Sequence, residues 1–294
     1  MSLRGLFGLP KSKSSSSKSS TYPADKKGDS SHLSGLPPPT YSSLSLNTNL
    51  QQPEPPHYNV SPSASEYYKR LAQFDTIFLI DDSGSMSGPN WSQTSDALAA
   101  VVPICTAHDS DGVDIYFLNS HAAHTNIRSS ADVLAIFDAV RPSGATPTGR
   151  RLGDLFTRYM KLYKQDPNIK PINIIVITDG VATDPKKLEK NIIDTAKELD
   201  KLKAKDRQIG VQFFQVGSDE AATESLVELD NSLGEASGAR DMVDTVSWRD
   251  MNGGNGLSAE GILKVVMGGI DKRMDRKWRF RGDSDGPNFL SGRR

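Results

Sequence analysis

Residues 74–86 read FDTIFLIDDSGSM. The first seven form a nearly continuous apolar run, which is typical of a strand in a sheet that is covered on both faces. Two acidic residues follow at once, and two serines flank a glycine directly after them. Because open parallel sheets bind ligands at the carboxyl ends of their strands, residues 81–86 are the first candidate for a functional site.

Strand-like and helix-like segments alternate after this stretch. Apolar runs predict further strands at 113–118, 172–178, 209–216 and 242–246, and a short antiparallel edge strand at 121–127. Apolar residues at helical spacing predict helices within 91–105, 152–163, 188–202, 219–233 and 258–274. The alternation favours an α/β fold, namely a doubly wound, mostly parallel sheet with helices on both faces.

Prolines and one aspartate give expectations for the helix ends. Pro103 should bend or shorten the first helix, because proline lacks the N–H that an interior position donates. Pro147 should lie in the first turn of the helix that follows it. Asp184, followed by Pro185, predicts an N-cap for the next helix.

The composition divides the chain into three parts. Residues 1–65 contain 17 serines and 9 of the 17 prolines, and they have few apolar side chains to offset the entropy of ordering. We therefore expect a disordered N-terminal arm at 1–65, one folded domain at 66–275 and a flexible tail at 276–294.

Charge, cysteine content and hydropathy exclude several classes of protein. The net charge of −1 argues against binding to nucleic acid. Cys105 has no second cysteine to pair with, which favours a reducing compartment and makes the cytoplasm the expected location. We expect neither a transmembrane segment nor a secretory signal. The apolar patch at 5–9, with lysines after it, would give at most weak peripheral contact with a membrane.

Three polar loops should meet at one edge of the predicted sheet. The first carries Asp81, Ser83 and Ser85, the second is SGATPTG at 143–149 with Thr146, and the third carries Asp179 after a buried strand. Hydroxyl and carboxylate oxygens are the donors that a hard cation such as Mg²⁺ prefers. The sequence therefore predicts a metal site at this edge.

The three motifs together resemble the von Willebrand factor A domain with its metal-ion-dependent adhesion site. The resemblance covers about residues 74–274 and implies Mg²⁺ or Mn²⁺ as the metal, with an acidic residue of a partner protein at its open position. Ala145 stands where the family often has glycine, and Asp82 is expected to have no role. Carried onto this chain, the resemblance implies direct bonds from Ser83, Ser85 and Thr146, and bonds largely through water from Asp81 and Asp179.

Enzyme motifs are missing from the same stretches. The second position for a phosphotransferring Asp-x-Asp is Ser83, and no lysine follows a late strand as a phospho-receiver domain would need. Within residues 74–274, neither a Gly-x-Ser-x-Gly elbow nor a phosphate-binding glycine loop with lysine occurs. We therefore expect a protein without catalytic activity.

The N-terminal arm contains two Pro-Pro-x-Tyr motifs, within LPPPTY at 36–41 and PPHY at 55–58. Preformed polyproline II segments bind aromatic grooves at low entropic cost. The motifs resemble ligands of WW domains, which HECT-type ubiquitin ligases carry in several copies. The residues concerned are Pro38, Pro39, Tyr41, Pro55, Pro56 and Tyr58.

Together these features predict a cytosolic protein-interaction adaptor. Its metal-dependent domain would hold an acidic partner, and its arm would recruit a WW-containing ligase. Two alternatives stay open: a subunit that docks to an AAA-type ATPase assembly, and a metal-assisted hydrolase that uses the same site.

Overall fold

A computed structural model of the chain describes residues 69–236, 238, 240–247 and 259–270. The N-terminal arm with both Pro-Pro-x-Tyr motifs, the tail at 276–294 and residues 252–256 lie outside the described residues. None of the described helices is both long and apolar enough to cross a membrane.

The six described strands form one sheet in the order β3-β2-β1-β4-β5-β6. All neighbouring pairs are parallel except β2 and β3, which are antiparallel. The two innermost strands, β1 and β4, lie side by side, and their residues are almost all buried. The strands are β1 Asp75–Ile80, β2 Val113–Phe117, β3 Ala123–Ile127, β4 Ile172–Thr178, β5 Ile209–Gln215 and β6 Val243–Ser247.

Six described α-helices cover both faces of the sheet. One apolar cluster joins β1 and β4 to α1, α2 and α6, and a second joins the opposite face to α3, α4 and α5. The prediction of a doubly wound, mostly parallel α/β fold is therefore confirmed. The helices are α1 Pro89–His108, α2 Ser130–Ala139, α3 Thr148–Gln165, α4 Pro185–Lys201, α5 Glu220–Ala236 and α6 Ala259–Ile270.

Helix α2 was not expected from the apolar pattern. It is only ten residues long, and it buries just Val133, Ile136 and Phe137. A local signal does exist, because Ser129 accepts a hydrogen bond from the Asp132 backbone N–H and its own hydroxyl donates to the Asp132 carboxylate. Ser129 is therefore the N-cap of α2, and a serine N-cap marks the beginning of a helix.

Helix α1 continues through Pro103 to His108, so of the two expected effects, a bend or a shortened helix, the shortening does not occur. Proline cannot donate to the carbonyl of Ala99, four residues earlier. The hydroxyl of Ser130, at the beginning of α2, donates to that carbonyl instead. The lost helical hydrogen bond is thus replaced by a contact that joins α1 to α2.

Asp184 precedes α4, but its side chain does not cap that helix. Its two carboxylate oxygens accept hydrogen bonds from the backbone N–H groups of Gly149, at 2.8 Å, and Arg150, at 2.7 Å, in the first turn of α3. Pro147 lies just before α3 rather than in its first turn. The loop after β4 and the loop before α3 are therefore held together near the carboxyl ends of the strands.

A buried ion cluster lies on the side of the sheet where β1 and β4 begin. Lys170 Nζ is 3.1 Å from Asp75, 2.9 Å from Asp109 and 3.4 Å from Asp111. Burial raises the pKa of the Asp75 carboxyl above its usual value, although the charge of Lys170 acts to lower it. Three carboxylates thus depend on one ammonium group in a poorly solvated place.

We predict that Lys170→Met lowers the free energy of unfolding by about 3 kcal/mol at neutral pH, because it leaves buried carboxylates without their cation. Urea unfolding measures the loss. The control is Lys164→Met, which removes an ion pair with Glu198 whose side chains are 50% and 40% exposed, and which should cost under about 1 kcal/mol.

The pH dependence of this loss follows from the raised pKa of Asp75. Because the charge of Lys170 acts to lower the pKa of Asp75, its removal raises that pKa further, so acidification favours folding of the variant more than folding of the parent. The difference between Lys170→Met and the parent should narrow as the pH falls from about 7 to about 5. A difference that is constant or widens over this range would contradict the account.

Candidate metal centre

Asp81 and Asp179 directly follow the neighbouring parallel strands β1 and β4. Ile80 pairs with Ile177 in the sheet, and the Asp81 N–H donates to the Ile177 carbonyl at 2.8 Å. Because β1 and β4 are parallel and paired without a shift, they end at the same edge of the sheet. The two carboxylates are therefore close in space although 98 positions separate them in the sequence.

Four of the five residues expected at the site form one hydrogen-bonded chain. Asp81 Oδ1 accepts the Ser83 N–H at 2.8 Å, and the hydroxyl oxygens of Ser83 and Ser85 are 3.0 Å apart. Ser85 Oγ then donates to Asp179 Oδ1 at 2.8 Å. A short 3₁₀ turn, Gly84–Met86, places both serine hydroxyls on the side of Asp179.

Asp81 lies fully buried at the base of this chain. Its second oxygen, Oδ2, accepts a hydrogen bond of 2.7 Å from the hydroxyl of Thr178, the last residue of β4. Burial raises the pKa of the Asp81 carboxyl, while the hydrogen bonds from Thr178 and Ser83 act to lower it, and the nearby Asp179 raises it slightly further. The site thus holds a carboxylate that water does not solvate.

Neither Asp81 nor Asp179 forms an ion pair with any residue in the part of the chain that the structure describes. Asp179 is only 7% exposed. The described residues also contain no group of three or more histidine, cysteine or acidic side chains that could hold a metal ion by themselves. Two buried like charges therefore meet without a protein cation, which is unfavourable unless something else supplies positive charge.

Thr146 lies on the loop between α2 and α3, which is attached to the loop after β1. The Ser143 N–H donates to the Asp82 carbonyl at 2.7 Å, and the Gly84 N–H donates to the Gly144 carbonyl at 3.2 Å. The side chain of Thr146 is almost fully buried, yet its hydroxyl makes no hydrogen bond within the described residues. Thr146 is thus beside the other four residues but is not joined to them by a hydrogen bond.

Asp82, for which no role was expected, organises this edge of the sheet. Its Oδ1 accepts from the Asn119 backbone N–H at 2.7 Å and its Oδ2 from the Ser120 N–H at 2.9 Å. Asn119 Nδ2 donates to the Ala145 carbonyl at 2.8 Å, next to Thr146. No sequence signal pairs Asp82 with a residue 37 positions away, so this connection is visible only in the structure.

Asn90 is a second contact that the sequence did not suggest. It lies in the first turn of α1, and its Nδ2 donates to Asp179 Oδ2 at 3.0 Å. The other oxygen of Asp179, Oδ1, accepts the hydrogen bond from Ser85. A Cβ on Gly217, which has a φ of +74°, would come within 3.3 Å of the Asn90 amide. Glycine at that position therefore allows Asn90 to reach Asp179.

The geometry suits a hard divalent cation. Two neighbouring ligands of an octahedral Mg²⁺ at about 2.1 Å are about 3.0 Å apart, which matches the separation of the two serine hydroxyls. A hydroxyl can give a lone pair to the cation while it donates its proton to a carboxylate, as Ser85 does to Asp179. Ser83, Ser85 and Thr146 could hold the ion, and the two aspartates could balance its charge.

Known proteins that this chain resembles include one solved structure and one domain family. A crystal structure of the manganese-loaded Plasmodium vivax TRAP protein is similar at 15% identity and a TM-score of 0.35, over 61% of this chain and 70% of that one. A search of curated proteins found no significant match. The sequence profile of the von Willebrand factor type A domain matches residues 75–250, which is more than half of the chain. This chain therefore belongs to the von Willebrand factor type A domain family.

Proposed function

We propose that this chain is a non-enzymatic adaptor whose von Willebrand factor A domain binds a partner protein through Mg²⁺ or Mn²⁺. Domains of this family typically mediate protein–protein interaction. One observation carries the proposal: the carboxylates of Asp81 and Asp179 are buried together, form no ion pair with any described residue and lie against serine hydroxyls. A divalent cation at Ser83, Ser85 and Thr146 would offset both charges.

The choice of ligands explains how such a site would bind a protein. Neutral hydroxyls do not cancel the charge of the ion, while Asp81 and Asp179 compensate it from behind. An ion held in this way would therefore still attract a carboxylate. The partner surface would present an exposed aspartate or glutamate, and its side chain would take the open coordination position.

Catalysis is not part of the proposal, because both carboxylates are already engaged. Asp81 accepts hydrogen bonds from the Ser83 N–H and the Thr178 hydroxyl, and Asp179 accepts from Ser85 and Asn90. A hydrolase would need a general base with an oxygen or nitrogen directed at a water molecule. The buried Cys105 offers no nucleophile either, since burial raises the pKa of its thiol to about 12.

The N-terminal arm completes the proposed adaptor. Two Pro-Pro-x-Tyr motifs at 38–41 and 55–58 would bind two WW domains of one HECT-type ligase in the cytoplasm. A flexible chain of the 11 residues from Tyr58 to Lys69, where the described structure begins, would span roughly 17 to 20 Å. This reach would bring a ligase near a partner that is held at the metal site.

The metal proposal predicts that Mg²⁺ stabilises the parent protein but not Asp179→Ala. At a concentration 100 times Kd, binding would add about 2.7 kcal/mol to the parent, measured as a rise in Tm. Without metal, the variant should be at least as stable as the parent, because repulsion between two buried carboxylates is removed. The matched control is Asp194→Ala, which removes an exposed carboxylate on α4 and should leave the Mg²⁺ effect intact. Equal stabilisation of Asp179→Ala and the parent would contradict the site assignment.

The arm proposal predicts a strongly non-additive effect of the two tyrosines. Tyr41→Ala or Tyr58→Ala alone should weaken binding to a ligase fragment with tandem WW domains modestly. The double variant should lose about 100-fold or more, because neither motif then has a tyrosine to bind a WW domain. Surface plasmon resonance measures all three affinities. Residual tight binding by the double variant would refute the recruitment proposal, whereas a normal Mg²⁺ response in it would show that the domain is intact.

A further inference from the structure

Helices α3 and α4 pack closely, whereas α4 and α5 leave an open cleft between them. A Cβ on Gly149 of α3 would lie 2.4 Å from the Leu188 backbone nitrogen of α4, so the first pair touches backbone to backbone. The space between α4 and α5 has a volume of about 220 Å³. We call this space the α4–α5 cleft, and its lining includes Thr178, Gly180, Ala182, Leu188, Phe213 and Leu226.

The α4–α5 cleft has an apolar floor and a charged rim. Leu188 and Phe213 are buried at its base, and Leu226 of α5 forms a half-buried wall. Lys186 and Glu228 lie exposed at the rim. A desolvated apolar space inside a polar rim is the environment in which a single side chain of a partner contributes most to binding. The volume is below the roughly 300 Å³ of small-molecule pockets, and it suits one large side chain better.

The cleft is continuous with the candidate metal centre. Thr178, which lines the cleft, donates its hydroxyl hydrogen bond to Asp81. The segment that leads from the metal centre to the cleft begins at Asp179 and passes through Val181, whose side chain is 40% exposed. A protein that places a carboxylate at the metal would therefore also cover an apolar surface that leads into the cleft.

We infer that the partner of the metal site carries a large apolar side chain, such as leucine, isoleucine, methionine or phenylalanine, a short distance from its metal-binding acidic residue. The apolar side chain fills the α4–α5 cleft while the carboxylate completes the coordination of the ion. This inference rests on the proposed function, because the cleft acts as the second contact of the same interface. An apolar second contact would let the site distinguish its partner from the many other proteins that have exposed acidic residues.

The test selects random linear peptides of about 12 residues on the full chain in the presence of Mg²⁺ and elutes them with EDTA. The expected peptides share an acidic residue and a large apolar residue at one fixed spacing. The tightest peptide is then synthesised, and its affinity is measured by fluorescence anisotropy. Replacement of its apolar residue by serine should weaken binding about tenfold or more.

Three variants of the chain locate the contact. Leu226→Lys puts a charge into the wall of the cleft, and Ser225→Phe fills the cleft without removing an apolar contact. Both should weaken the peptide about tenfold or more while the Mg²⁺-dependent rise in Tm persists. The matched control, Leu134→Lys, changes a leucine that is 42% exposed on α2 on the other face of the sheet, and it should bind the peptide like the parent.

The possible results distinguish a failure of the proposed metal-dependent function from a failure of the inference about the cleft. Selection of no Mg²⁺-dependent peptide, or of peptides that bind Asp179→Ala equally well, would overturn the proposed function and this inference with it. Mg²⁺-dependent acidic peptides without an apolar residue would overturn the inference alone. That result would mean that the cleft lies outside the interface with the partner of the metal site.

Discussion

The constraint on which this structure depends is the burial of two carboxylates at the ends of two adjacent parallel strands. Asp81 and Asp179 lie at one edge of the sheet because β1 and β4 run in register, and no cation of the described residues neutralises them. Such an arrangement costs folding free energy. The surrounding loops supply hydroxyls and amides, which moderate the cost but do not remove the charge. The edge is therefore chemically incomplete without a positively charged ligand.

The neighbouring contacts hold the three loops in place before any ligand arrives. Asp82 and Asn119 connect the loop after β2 to the loop of Thr146, and Asp184 ties that same loop region to the segment after β4. Asn90 fixes the orientation of the Asp179 carboxylate from α1. Side chains that are already oriented lose little entropy when they bind, so a site of this kind would not depend on reordering of its loops.

The sequence was sufficient to predict the fold, because apolar runs such as residues 172–178 identify strands that are buried on both faces. It was also sufficient to place the two aspartates, because parallel strands end at a common edge of the sheet. It was not sufficient for α2, whose short apolar face gives little periodic signal. It also missed the partners of Asp82 and Asp184, since contacts 34 to 38 positions apart depend on how the loops pack and have no local pattern. Ser130 took the place of the missing N–H of Pro103, an effect that no local rule for proline includes.

The most direct test of the account is the anomalous diffraction of crystals of this protein grown with Mn²⁺. The account predicts one manganese peak at the carboxyl edge of the sheet, bonded to the hydroxyls of Ser83, Ser85 and Thr146, with Asp81 and Asp179 hydrogen bonded to its water ligands. A well-ordered structure without a peak at this edge, or with manganese bound only elsewhere, would contradict the central claim that the two buried carboxylates exist to balance a bound cation.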